Sequence, residues 1–352
     1  MKILIDAMGG DLAPKAPVLG ALQARQRYGC DIVLIGKEDV IRATLTQESV
    51  TDLPQGLEIQ NATEVVEICD NPSTAWRAKK DSSLTVGLKL LKSGAGDAFL
   101  SAGSTGAILS GATLLVKRIP GIRRAAVAPV IPTRTGRAVL IDAGANADCT
   151  PEYMMQFAFM GSFYAKQILG TETPRVGLLN IGAEPSKGNE QYKMVHQLLQ
   201  EAGDQGRIHF IGNVEGSSAV EGAADVIVCD GFVGNIFLKT LEGTASFLMH
   251  ELKDAFFTNL STKLSALVLK KHLAGMRKKL DPREVGGTAL LGIQKPVIKA
   301  HGSYDAYAIC SAVGQAIQFA QSSLVADIQA NMDSMTVHPG ADPQNAPVPP
   351  LP

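Results

Sequence analysis

Lys2-Ile3-Leu4-Ile5-Asp6-Ala7-Met8-Gly9-Gly10-Asp11 opens the chain as an apolar run that empties into a short loop of glycine and acid. The same change of composition recurs at Ser101-Ala102-Gly103-Ser104-Thr105-Gly106 and at Asp142-Ala143-Gly144-Ala145-Asn146. It appears again at Asn180-Ile181-Gly182, continuing to Lys187-Gly188-Asn189, and at Asp230-Gly231-Phe232-Val233-Gly234-Asn235. In an open α/β sheet the carboxyl ends of parallel strands lie along one rim, so loops of this kind converge on a crevice where ligands bind. Glycine exposes backbone N–H groups there, and small hydroxyls and amides stand beside them. That equipment suits an anion such as phosphate.

Apolar runs near 2–5, 31–35, 97–100, 138–141, 175–179, 208–211 and 225–229 alternate with helical periodicity near 14–28, 83–93, 105–117, 151–169, 189–201, 234–258 and 304–329. Strand and helix repeated in this way predict a mostly parallel sheet with helices on both faces. The strands are apolar throughout rather than alternating, as buried parallel strands are. Pro14, Thr150-Pro151-Glu152 and Ser303 ahead of Asp305 mark helix starts. No internal repeat interrupts the pattern. The last twenty residues, rich in proline and poor in large apolar groups, are expected to form a disordered tail over 333–352.

The 352 residues allow a large core. With 33 basic against 34 acidic residues no global field points to nucleic acid. No run approaches the roughly 18 consecutive apolar residues of a spanning helix, and the chain enters its first strand without a signal peptide, so a cytoplasmic protein is expected. The five cysteines are widely spaced and form no Cys-x-x-Cys pair, which argues against structural zinc and a disulfide framework. Cys149, beside a candidate loop, is the one to test as reactive.

One segment departs from the pattern. Between Asp254 and Asp281 there is no acid, while Lys263, Lys270, Lys271, Arg277, Lys278 and Lys279 fall inside. Phe256, Leu260, Leu264 and Leu267 share one helical face, and Leu269, Leu273, Met276 and Leu280 share another. At about 100° per residue these stripes oppose one another on a straight rod, so a bend or helical hairpin is expected around 259–268. Its turn would present Leu260, Leu264, Leu267 and Val268 beside lysines. Such a tip fits an anionic membrane surface, where each basic residue adds about 1 kcal/mol; packing against a second subunit is the other reading.

The nucleotide fingerprints fail. Gly9-Gly10-Asp11 lacks the Gly-x-Gly-x-x-Gly spacing, and the Gly182 to Asn189 loop resembles a P-loop with its Lys and Gly exchanged and no Ser or Thr for magnesium. The hydroxyls of Ser104 and Thr105 and the N–H of Gly106 either face an anion or cap the following helix. Lys187 could meet phosphate or an oxyanion, or be a solvated surface lysine. Asn235 could donate to a carbonyl oxygen or cap its helix, and His301 could be a site histidine or a packed loop residue. No paired carboxylates, Ser-His-Asp, Cys-His or metal-ligand spacing is present in the sequence, so neither metal nor cofactor is expected. Chemistry without a protein nucleophile leaves the attack to the bound anion.

Taken together, Asp6-Ala7-Met8-Gly9-Gly10-Asp11, Ser101 to Ala107, Asn180-Ile181-Gly182 with Lys187-Gly188-Asn189-Glu190, Cys229 to Asn235, and Lys299-Ala300-His301-Gly302-Ser303 resemble the bacterial phosphate acyltransferases of the PlsX family, from residue 1 to about 330. The resemblance implies transfer of a fatty acyl group from acyl carrier protein to inorganic phosphate for phospholipid synthesis. It also implies a homodimeric three-layer α/β/α fold related to isocitrate dehydrogenase, and peripheral membrane association through a helical tip. The expected organisation is one large domain over 1–332 with a helical protrusion at about 240–282. Lys187 and Asn235 match the family's active-site positions. Gly9, Gly10, Asp11, Ser104, Thr105, Gly106, Asn146, Gly182, Asn189, Gly234 and His301 are the candidate substrate and phosphate contacts. A nicotinamide-dependent dehydrogenase on the same scaffold, and a non-catalytic scaffold for acyl carrier protein at the membrane, remain as alternatives.

Overall fold

A computed structural model describes residues 1–336, without the side chains of Leu260, Lys270, Lys271, Leu273, Arg277, Lys278 and Pro282. Twelve strands form two sheets. They are β1 (Lys2–Asp6), β2 (Asp31–Gly36), β3 (Leu57–Asn61), β4 (Ala98–Ser101), β5 (Ala126–Ala128), β6 (Val130–Pro132), β7 (Arg137–Ile141), β8 (Val176–Leu179), β9 (Phe210–Val214), β10 (Val226–Val228), β11 (Thr288–Leu291) and β12 (Val297–Lys299). The larger sheet has the order β3-β2-β1-β4-β12-β11-β5 and the smaller β6-β7-β10-β8-β9. Both are parallel through their centres, with β11 and β6 running antiparallel to their neighbours. The chain crosses from one sheet to the other at Pro129, the single residue between β5 and β6.

Alternation along each strand sorts the side chains into layers. Ile3, Ile5, Ile32 and Leu34 face one way, onto Val18 and Ala21 of the helix Lys15–Tyr28 and Ile309 and Val313 of the helix Ala306–Gln321. Leu4, Val33, Ile35 and Phe99 face the other, onto Leu84 and Leu88 of the helix Ser83–Ser93. The smaller sheet repeats the arrangement. Val139, Ile141, Val176 and Val226 join the first cluster with Phe157 and Met160 of the helix Pro151–Leu169, while Leu140, Ile227 and Cys229 meet Phe237, Leu238 and Leu241. Helices thus cover both faces of each sheet, the three-layer α/β arrangement expected, and one buried cluster runs through both sheets.

All seven expected strands form, although β9 lies two to three residues later than the apolar run suggested. The expected single sheet is replaced by two. The switch was hidden because β5, β6, β11 and β12 span three or four residues each, too few to show a period. The expected helix over 304–329 breaks at Ser322-Ser323 into Ala306–Gln321 and Leu324–Ala330, and its cap is Asp305, whose Oδ1 accepts from Ala308 N at 3.0 Å. The first residues of the expected tail are ordered: Asp333–Met335 forms a helical turn, Met335 is fully buried, and Arg207 donates to Ser334 O at 2.6 Å. The remainder of the expected tail lies outside the described residues.

The helical protrusion is a hairpin of Gly231–Phe257 and Leu260–Leu280. The bend falls at Thr258-Asn259, at the front edge of the expected interval. There the Asn259 side chain accepts from Thr262 N at 3.0 Å and Thr262 Oγ1 accepts from Asn259 N at 3.1 Å, so the second helix is capped and a new axis begins. No described residue between 240 and 280 is buried, while Leu264, Leu267 and Val268 remain 59%, 69% and 81% exposed.

Two consequences can be measured. A Cβ on Gly234 would stand 1.9 Å from the backbone carbonyl oxygen of Asp142, where no side chain can yield. Gly234→Ala should therefore cost about 3 kcal/mol, read as a lower urea midpoint; an unchanged midpoint would refute the close contact. Burial, reinforced by the Asp142 charge, pushes the Cys149 thiol up to about 12, whereas Cys69 is exposed. Cys149 is thus not the reactive thiol that its position suggested. In native protein at pH 8 iodoacetamide should label Cys69 and spare Cys149, and peptide mapping that finds both labelled at similar rates would contradict this.

Candidate active site

Strands β1, β4 and β12 are neighbours in the larger sheet, and their carboxyl-end loops lock together. The buried carboxylate of Asp6 accepts Ser101 Oγ at 2.7 Å and Met8 N at 3.1 Å, and burial holds its pKa above the usual carboxylate value. A Cβ on Gly9 would come within 2.6 Å of Asp6 Oδ2 and 2.8 Å of Gly103 N, so the first and second loops touch backbone to backbone. Asp11 N donates to Gly302 O at 2.8 Å, which fixes the loop after β12 against the first. Gly9, Gly10 and Asp11 do this packing, and none of them lines either of the two cavities described below.

A second knot forms in the smaller sheet. Asp142, fully buried, accepts from Val127 N at 2.9 Å, Asn146 N at 2.7 Å, Asn146 Nδ2 at 3.0 Å and Ala145 N at 3.1 Å. Burial pushes its pKa up while these donors pull it down. Gly231 N donates to Asn146 O at 2.8 Å, and the glycine at 234 admits the Asp142 carbonyl, so the helix Gly231–Phe257 starts hard against this loop. Asp230 is its cap, accepting from Val233 N at 2.8 Å. Asn235 is therefore not the cap; it lies one turn into the helix, its Oδ1 3.4 Å from where a Gly144 Cβ would stand.

Between the two sheets and the hairpin lies a cavity of about 950 Å³. Thr105, Gly144, Asn235 and His301 line it, so the loops at the ends of β4, β7 and β12 and the helix following β10 all reach it. Its other wall is apolar, with Val127, Ile131, Leu238, Leu241, Met249 and Met276. A second cavity of about 900 Å³ opens by Arg137, Arg175 and Asp225, at the amino ends of β7, β8 and β10, and none of the glycine loops reaches it.

The remaining candidates divide. Ser104 makes no capping hydrogen bond, and Gly106 packs where a Cβ would meet Pro72 at 2.7 Å. Asn146 is committed to Asp142 and Ala125 O, and Asn189 caps the helix Glu190–Asp204 through Tyr192 N at 2.9 Å. Gly182 lies under the Lys187 side chain, whose Cγ would be 2.8 Å from a Cβ there. Lys187 is exposed on the loop after β8, the strand beside β10, and is not among the residues lining the cavity.

His301 does line it. Its Nδ1 lies 2.9 Å from Ser303 Oγ and its ring is tilted over Tyr304 at 5.7 Å between centroids. Desolvation, then Lys299 and Lys239, lower its pKa. Lys299 was missed as a site residue although it stands in the same Lys-Ala-His-Gly-Ser stretch. It lines the cavity at the last position of β12, and burial followed by the Lys239 charge holds its pKa below that of an ordinary lysine. The signal was the short apolar run Val297-Ile298 ahead of it, which marks a strand end.

A family model described as fatty acid synthesis protein matches residues 1–326. A phosphate acyltransferase of Thermoanaerobacterium thermosaccharolyticum is 45% identical over 333 residues, covering 95% of this chain and 97% of that protein. Another, of Thermoanaerobacter pseudethanolicus, is 47% identical over 336 residues, covering 95% and 98%. Among solved structures, a phosphotransacetylase from Streptococcus pyogenes aligns with a TM-score of 0.62 at 20% identity over 91% of this chain and 93% of that one. A 4-hydroxythreonine-4-phosphate dehydrogenase from Klebsiella pneumoniae aligns at 0.54 and 12%, over 91% and 98%. At such identities these two speak for the fold alone, a frame that both transferases and dehydrogenases use. The sequence match, by contrast, runs through every strand that frames the cavity, and the chain belongs to the fatty acid synthesis protein family.

Proposed function

We propose that this chain is a phosphate acyltransferase that moves a fatty acyl group from the thioester of acyl carrier protein to inorganic phosphate. The observation that carries the reading is the division of the cavity of about 950 Å³ that the glycine loops reach. Thr105, Asn235 and His301 supply polar groups at the strand ends with the Lys299 cation, and Leu238, Leu241, Met249 and Met276 supply an apolar wall beside them. An acyl group joined to a charged reaction centre needs both, and apolar burial is worth about 25 cal/mol per Å². The name carried by relatives near 45% identity favours this over a dehydrogenase. A scaffold that only recruits a carrier protein would not need loops from both sheets to meet in one cavity.

In the reaction a phosphate oxygen attacks the thioester carbonyl carbon. The carbonyl electrons move onto oxygen, the tetrahedral intermediate collapses, and the C–S bond breaks with its electron pair leaving on the carrier thiolate. Acyl phosphate and the thiol form of the carrier result. Phosphate is nucleophilic near neutral pH, so no protein base has to remove a proton first. The Asn235 amide is the donor to the oxyanion from within the cavity. Lys187, exposed at the neighbouring strand end, supplies a second positive charge from the rim. Removing one donor of this kind costs about 10²–10³ in turnover.

Asn235→Ala and Lys187→Ala should each lose that much acyl phosphate formation from long-chain acyl carrier protein and labelled phosphate, with unchanged thermal unfolding. Wild-type turnover in either variant would remove that residue from the chemistry. Absence of acyl phosphate with the wild-type protein would overturn the function itself.

The hairpin tip is the contact with an anionic membrane surface. Phe257, Leu264, Leu267 and Val268 are exposed at its bend, Lys263 stands among them, and no helix among the described residues is long and apolar enough to cross a bilayer. The Leu260 side chain, also expected there, lies outside the described ones. Exposed Phe247 and Leu248, farther along the first hairpin helix, are the surface a second copy of the chain would cover in a homodimer. Changing Leu264, Leu267 and Val268 together to Glu should abolish co-sedimentation with phosphatidylglycerol liposomes while leaving acyl transfer in solution intact. Unchanged co-sedimentation would assign the tip to subunit packing instead.

A further inference from the structure

We propose that Lys299 is the anchor for the inorganic phosphate, binding it at the polar end of the cavity with His301 and Thr105 beside it. The inference rests on the phosphate acyltransferase reading and adds to it a residue and a place for the nucleophile.

β12 runs parallel to β4 with Lys299 opposite Ser101, and Ala300 N donates to Ser101 O at 2.9 Å. Lys299 therefore stands level with the start of the Ser101–Gly106 loop, at the point where the chain leaves the sheet and enters the cavity wall. Its side chain is only partly exposed, and among the described residues no hydrogen bond or ion pair reaches its ammonium.

Its cationic neighbours in the cavity are committed elsewhere. Lys239 pairs with Glu242 at 2.8 Å, Arg283 pairs with Asp281 and Asp305, Arg134 pairs with Glu221, and Lys279 donates to Arg134 O at 2.7 Å. A fifth, Arg137, also lines the cavity, but from the opposite end of its strand, where it borders the second cavity as well. A cation withdrawn from water without a counter-charge is unfavourable, and an anion entering the cavity removes that cost. Burial and Lys239 depress the Lys299 pKa, against a smaller upward pull from Glu242 and Asp11, neither of which makes an ion pair with its ammonium among the described residues. His301 uses Nδ1 on Ser303, and among the described residues its Nε2 has no hydrogen bond, which adds a second available group beside the ammonium.

A tetrahedral phosphate could arrive as the inorganic ion or as the phosphodiester arm of a carrier. Depth favours the small ion. Lys299 lines the cavity at a strand end and is only partly exposed, whereas an arm tethered to a docked protein keeps its diester nearer the solvent. Electrostatic attraction is strongest where water is excluded, so the half-buried lysine is the better holder for the reacting anion.

Equilibrium dialysis of labelled inorganic phosphate against the purified full chain tests this directly. Lys299→Met should weaken binding at least tenfold, and Lys299→Arg, which keeps the charge, should stay within about threefold of wild type. In the acyl transfer assay Lys299→Met should raise the KM for phosphate by a similar factor with the KM for acyl carrier protein within twofold. Equal phosphate binding by wild type and Lys299→Met would overturn the assignment, as would a change confined to the KM for the acyl carrier, the result expected if the lysine holds the carrier's diester. Should Lys299→Met not fold, reductive methylation of the wild-type protein decides: phosphate should protect Lys299 from modification, and equal modification with and without phosphate overturns the proposal. A wild-type protein that binds phosphate through Lys299 yet makes no acyl phosphate would refute the enzymatic reading while leaving this site standing.

Discussion

The buried carboxylate of Asp142 is the joint on which the rest of the molecule turns. It accepts Val127 N from β5 of the larger sheet and the N–H groups of Ala145 and Asn146 from the loop that ends β7 of the smaller one. One side chain thereby ties together two sheets whose only direct covalent crossing nearby is Pro129. Burying a carboxylate is unfavourable unless several donors meet it, and removing those donors leaves a charge that the interior cannot accommodate. The fully buried position and the four donors act together, so the separation between the sheets is fixed. That separation sets the width of the cavity.

The joint imposes a division of labour on residues that looked alike in sequence. Every glycine-rich loop at the rim carries groups able to bind an anion, yet most of those groups are spent on one another. Gly9 and Gly10 bring the first loop against the second, Asn146 closes on Asp142, Asn189 caps a helix, and Gly234 lets the hairpin's first helix approach a carbonyl. Thr105, Ala143, Gly144, Asn235, His301 and Ser303 are the residues of the glycine and histidine loops that line the cavity. Loops that hold each other rigidly are a precondition for a catalytic donor, because a donor that must reorganise loses much of its effect on the transition state.

Much of this was legible in the chain. The strands that alternate apolar runs with glycine loops were visible because each is flanked by a long helix with its own period, and the hairpin was visible because two apolar stripes could not share one straight helix. The second sheet was not, since β5 and β6 are three-residue pieces on either side of one proline. β3 was missed for a different reason: Leu57–Asn61 is an edge strand with only Leu57 buried, so it carries no apolar run. In the site, residue type and loop position pointed to Asn235 and His301. Lys299 escaped because the two-residue apolar run Val297-Ile298 is a faint mark of a strand end, and its significance comes from its place in the cavity wall and from partners it lacks among the described residues.

The hairpin joins the chemistry to the protein's surroundings. Its two helices supply the apolar wall through Leu238, Leu241, Met249 and Met276, and the same pair ends at the exposed bend bearing Leu264, Leu267 and Val268. Lys279, near the end of the second helix, donates to Arg134 O on the body, so the hairpin is held at its base and open at its tip. A rod fixed only at its base can tilt about that base, and here the base is the cavity wall. Because no residue along the hairpin between 240 and 280 is buried among those described, little packing resists such a tilt. The apolar wall thus belongs to the least packed part of the fold, while the polar end, held by the sheets through Asp142, keeps its geometry.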